Sequence, residues 1–88
     1  IAPRLYATLQ ALAGQIQSAP KSGFGDYEAQ AEKQLEIAGF RPDYVSVRRQ
    51  QDLAIPDPDD RQLVILAAAW LGRARLIDNL ELDLKPAP

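Results

Sequence analysis

The apolar positions Leu5, Leu9, Leu12 and Ile16 are spaced by four, three and four residues, which sets them on one stripe of a helix. Pro3 suits the first turn of that helix, where a missing N–H costs nothing. Gly14 weakens its second half, and Pro20 lies just past its end. The turn-forming stretch "SAPKSGFG" then predicts a loop. Asp26 is the expected N-cap of a second helix, with Tyr27, Ala31, Leu35 and Ala38 as its apolar stripe and Glu28, Glu32 and Lys33 toward water. Gly39 fits the left-handed position that ends helices, and Phe40 supplies the hydrophobic contact that often follows.

Beyond Phe40 the period changes to two. Tyr44, Ser46 and Arg48 alternate with Val45 and Val47, which predicts a half-buried strand with the valines inward. "IPDPDD", Ile55 to Asp60, predicts an acidic loop. The run Leu63 to Trp70 predicts a central strand buried on both faces. A helix is the rival reading, because Ala67, Ala68 and Ala69 favour it on propensity. Val64 and Ile65 at its start and a tight turn at Leu71–Gly72 favour the strand, with Gly72 expected third in a type II turn. After Arg73, residues Ala74, Leu76 and Asp78 share one face and Arg75, Ile77 and Asn79 the other. The expected fold is α+β in ααβββ order: two helices on one face of a three-stranded antiparallel sheet, over residues 1–83, with 84–88 as a frayed tail.

Composition narrows the function more than it defines it. A chain of 88 residues is one domain with one modest core. Ten basic residues against twelve acidic ones, scattered along the chain, disfavour a nucleic-acid partner. The longest apolar run, Leu63 to Leu71, falls far short of the roughly 20 residues of a membrane helix. The chain has neither cysteine nor histidine, so thiol chemistry and the commonest general base are both missing. The opening "IAPRLY" carries no methionine and no signal pattern, which predicts a segment of a longer protein.

Each candidate for chemistry has a plainer reading. Asp57, Asp59 and Asp60 lack the ligand spacing and turn glycine of a calcium loop, so a solvated acidic turn is preferred. Ser18, Ser22, Ser46 and Thr8 have no histidine to activate them. Gly23 and Gly25 precede a helix as phosphate-binding glycines do, but without the P-loop spacing or a preceding strand. In "GRARLIDN", Gly72 to Asn79, the two arginines could grip an anion. The preferred reading is structural: Asp78 paired with a nearby arginine, and Asn79 bonded to backbone. No residue is assigned a catalytic, cofactor-binding or metal-binding role.

Three blocks in fixed order, "IAPRLYATL", "AGFRPDYVSVR" and "VILAAAWLGRARLIDN", resemble the C-terminal domain of the pantothenate synthetases, the pantoate–β-alanine ligases of bacteria and plants. The resemblance runs from Ile1 to about Leu82 and departs at Arg49, where the family often carries an acid. It implies a cytoplasmic enzyme that joins pantoate to β-alanine with ATP and Mg2+, through a pantoyl-adenylate, releasing AMP and pyrophosphate. It implies that the catalytic residues, ATP and Mg2+ belong to a larger N-terminal nucleotide-binding domain, with no cofactor on this segment. This segment is then the lid, hinged before Pro3, inactive and monomeric by itself, while the full enzyme dimerises through its larger domain. Arg73 and Arg75 become candidate cleft-facing residues, and Gly39, Gly72, Asp78 and Asn79 structural ones. The alternative reading is a free-standing interaction module that binds a protein through its sheet face or edge; a minimal enzyme is a distant third.

Overall fold

The computed structural model describes residues 2–18, 24–57 and 59–84, with the side chains of 2, 3 and 18 also left aside. Of the expected 18–25 loop, residues 19–23 lie outside the described residues, as do the hinge before Pro3, Pro58 and residues 85–88 of the expected tail, while Ser18 and Gly25 belong to helices instead of the loop. Two helices, α1 (Ala2–Ser18) and α2 (Gly25–Ile37), precede three strands, β1 (Arg41–Arg49), β2 (Gln62–Leu71) and β3 (Ala74–Asp83). The sheet is antiparallel in the order β1-β2-β3, so β2 is central as its apolar run predicts. Both helices lie on one face: α1 packs over β3 and beside α2, and α2 packs over β1. The fold is the α+β arrangement read from the sequence.

The α1 stripe is fully realised. Leu5, Leu9, Leu12 and Ile16 are all buried against the sheet-side core, with Ala31 and Leu35 of α2, Phe40, and Val45 and Val47 of β1. From β2 the same core receives Leu63, Ile65, Ala67 and Ala69, and from β3 Leu82. The alanines leave room for helices to sit close to the middle strand, which explains why a helix-favouring triplet is stable as strand: tertiary packing overrides propensity. Gly39 takes φ +97° after α2, and the N–H of Phe40 returns to the Leu35 carbonyl at 2.9 Å, so the left-handed stop is made as expected.

Several local expectations are corrected. Asp26 is not the N-cap: α2 starts at Gly25, Phe24 precedes it without a side-chain capping bond, and Asp26 and Glu28 fall in the first turn. Phe24 packs against the core and its carbonyl accepts from the Glu28 N–H at 2.9 Å, which draws the helix start forward. The two acids still complement the positive end of the helix dipole. Glu28 does not simply face water. Its carboxylate accepts the Val47 N–H of β1 at 2.7 Å. The hairpin loop is Gly72–Arg73, closed by the Leu71↔Ala74 pair, with positive φ (+62°) at Gly72 and not at Arg73. Glycine is thus first in the loop, the position that a type II′ turn requires, because primed turns match strand twist where type II does not. At the far end, Leu84 packs against the core and donates its N–H to the Arg61 carbonyl at 2.7 Å, one residue past the expected boundary. No helix among the described residues is long and apolar enough to cross a membrane.

Candidate functional site

The alternation of side chains gives the sheet two unlike faces. One carries the helices. On the other, the register aligns Tyr44, Ala68 and Ile77 in one row, Ser46, Leu66 and Asn79 in the next, and Arg48, Val64 and Glu81 in a third. Val64 and Ala68 are buried yet stand outside the helix-side core cluster, so their neighbours on this open face shield them. The expected burial of β2 on both faces is therefore only half right: Leu66 and Trp70 remain half-buried, and no second layer covers them among the described residues. Ile77 is 64% exposed and Tyr44 37%.

The hairpin end of this face is where "GRARLIDN" begins. Arg75 stands opposite Trp70, and Trp70 opposite Arg41, whose guanidinium lies 5.6 Å from the indole ring centroid. The register of β1 shifts between Pro42 and Tyr44. That bulge leaves Asp43 unpaired in the ladder, where it meets Arg75: its Oδ2 accepts from Nε at 3.0 Å and lies 2.9 Å from Nη2. Both side chains are more than a third exposed, so the pair is worth only about 0–1 kcal/mol in stability. Arg73 sits exposed in the loop itself.

The expected Asp78–arginine pair does not form. Asp78 points to the helix side, opposite Ala67, whereas Arg75 points to the open face and takes Asp43. Strand alternation puts residues three apart on opposite faces, which rules out an Arg75–Asp78 pair within one strand. The Asp78 carboxylate instead accepts the N–H of Asn79 at 2.8 Å. Asn79 contributes that backbone donor, and its side chain makes no hydrogen bond among the described residues. Because β1 and β3 are edge strands, the Glu28–Val47 and Asp78–Asn79 bonds each occupy an amide that strand addition would use.

The acidic loop is organised by a cation of its own chain. Arg49, at the end of β1, lies 3.1 Å from Asp52 and 3.8 Å from both Asp57 and Asp60, and Asp60 also accepts the Asp57 N–H at 2.7 Å. Asp59 is exposed and makes none of these contacts. This is the role of the arginine at the position where the resemblance departs from the family pattern. Gly25, the remaining described glycine of "KSGFGD", opens α2.

Leu53 in the same loop adopts φ +60° and is half exposed. A leucine there carries left-handed strain that asparagine relieves, so Leu53→Asn is expected to raise stability by about 0.5–1 kcal/mol. Chemical denaturation checks this; a lowered midpoint would mean that the leucine side chain contributes more than its conformation costs. Nothing in the sequence marks this position.

A two-layer α+β domain with one open sheet face and an arginine-rich hairpin end is what the geometry defines. A family model described as pantoate-beta-alanine ligase matches residues 1–81. Pantothenate synthetase of Thioalkalivibrio sulfidiphilus is 57% identical over 86 residues, covering 98% of this chain and 30% of the relative. That of Alkalilimnicola ehrlichii is 52% identical over 87 residues, covering 96% and 29%. That of Methylococcus capsulatus is 58% identical over 73 residues, covering 80% and 26%. The chain belongs to the pantoate–β-alanine ligase family. It spans about 30% of the length of these curated relatives.

Proposed function

We propose that this chain is the C-terminal lid of a cytoplasmic ligase that condenses pantoate with β-alanine, with ATP as the activating substrate. The observation that carries the reading is the family match over 81 of the 88 residues, with relatives more than three times as long as the region matched. In this reading ATP and pantoate are held by the remainder of the ligase, which forms the homodimer, and this segment alone is monomeric and inactive. A mixed carboxylic–phosphoric anhydride is lost to water unless solvent is kept out until the amine attacks. A compact two-layer body closing over the cleft supplies that exclusion. Mg2+ neutralises phosphate charge in such chemistry. The Asp52, Asp57 and Asp60 carboxylates surround the Arg49 guanidinium, an arrangement that repels a further cation, so this loop does not fit the ion.

Arg73 and Arg75 are the residues proposed to face the cleft, and the geometry ranks them. Arg75 is already engaged by Asp43, whereas Arg73 projects from the loop with no ion pair among the described residues. Closure is tested in the full-length ligase by the yield of pantothenate per AMP formed. The intact enzyme is expected to hold this ratio at unity. Removal of the region corresponding to residues 1–88, or Arg73→Ala if the shortened enzyme does not fold, is expected to lower it as adenylate escapes to water. A ratio that stays at unity in a folded, adenylate-forming truncated enzyme contradicts the lid role.

A further inference from the structure

We propose that the open face of the sheet is the surface that packs against the remainder of the longer ligase chain. The inference rests on the ligase reading and adds which side of the domain faces inward. Three observations carry it. First, this face is built to be covered: Tyr44, Leu66, Trp70 and Ile77 form a continuous apolar band around buried Val64 and Ala68, and Ile77 stands 64% exposed at its edge. Secondly, the exposed Ile37, Leu53 and Ile55 lie at the end of α2 and in the β1–β2 loop, away from this band, while the helix side and the sheet edges are occupied. The opposite face is filled by α1 and α2, and on each sheet edge a carboxylate holds an outward amide. The groove between the helices is lined mainly by alanine and amide side chains, among them Ala7, Ala11, Gln15 and Gln34, and by no exposed large apolar group. Thirdly, relatives carry about 70% of their length outside the region matched, which in the ligase reading supplies a polypeptide large enough to cover the band.

The charges at the hairpin end specify the partner's chemistry. Arg41, Arg73 and Arg75 gather there, Arg75 alone of them paired with a carboxylate, that of Asp43, among the described residues, and Arg41 is held over the Trp70 ring. The complementary surface is therefore an apolar patch bordered, on the hairpin side, by carboxylates of the covering polypeptide.

The test uses the full-length ligase with its own cysteines replaced. Ile77→Cys is placed on the open face and Glu36→Cys on the exposed side of α2, and maleimide labelling rates are compared. Tyr44→Cys repeats the measurement should Ile77→Cys fold poorly. The face cysteines are expected to label at least about tenfold more slowly than Glu36→Cys, at a rate independent of protein concentration. Equal rates overturn the proposal, as does protection that vanishes on dilution, which would mean that a second copy covers the face. Pantothenate formation by the unmodified enzyme is measured in parallel. An active ligase with an unprotected face refutes the docking surface alone, and an inactive one refutes the ligase reading.

Discussion

Leu9→Ala is expected to lower the unfolding free energy of the domain by about 3 kcal/mol, within the range of roughly 2–5 that buried leucine truncations cost. Leu9 is completely buried midway along the α1 stripe, with Leu5 and Leu12 on either side and the sheet beneath. Removing its isobutyl group loses the transfer energy of those carbons and leaves a void that the flanking leucines cannot fill without moving the helix. Domains of this size hold only about 5–15 kcal/mol in total, so one such cavity consumes a large share. The measurement is a urea titration: the midpoint falls with little change in slope. An unchanged midpoint would mean that α1 is not docked as described.

Glu28→Ala is expected to cost about 1–3 kcal/mol, an effect no surface glutamate would have. Its carboxylate is the acceptor for the Val47 N–H at 2.7 Å, in a partly buried position between α2 and the edge of the sheet. Truncation strands a donor that water reaches poorly, and an unsatisfied donor costs more than an average hydrogen bond contributes. Glu28→Gln keeps an acceptor oxygen and is expected to recover most of the loss. Hydrogen exchange at the Val47 amide should accelerate in the alanine variant and much less in the glutamine variant. Equal stability of all three proteins would remove this contact from the account.

These two residues also show what a single sequence does and does not carry. Leu9 is legible because helix periodicity is local: spacings of three and four suffice to identify a buried stripe. The same holds for Val45 and Val47, and for Gly39, where the backbone itself demands a residue without a β-carbon. Glu28 is not legible, because its partner lies 19 residues away and depends on how α2 settles on β1. Asp43 is hidden for a related reason. A bulge leaves the composition of a strand unchanged while altering which residues share a face, and only the register with β2 reveals it. Sequence proximity therefore points to the wrong partner: Asp78 is near Arg75 in sequence, but Asp43 is near it in space. Turn propensity alone places the hairpin one residue early, because the twist of the flanking strands selects the turn and puts Gly72 first in the loop. The open apolar face departs from the sequence reading, which buries β2 on both sides. Alternation marks which side chains point away from the valines, but it does not say whether a second layer lies over them.

In the lid role proposed for it, this chain is a rigid body in its own right whose ligands are held by the rest of the ligase. A two-dimensional amide NMR spectrum of the 88-residue chain, titrated with ATP, Mg2+ and pantoate, tests it most directly. The account predicts well-dispersed peaks, as a fixed core requires, that do not move with any of the three. A collapsed spectrum would deny the chain a fold of its own, and a compact set of shifts around Arg73 to Asn79 would place part of the binding site on this domain by itself.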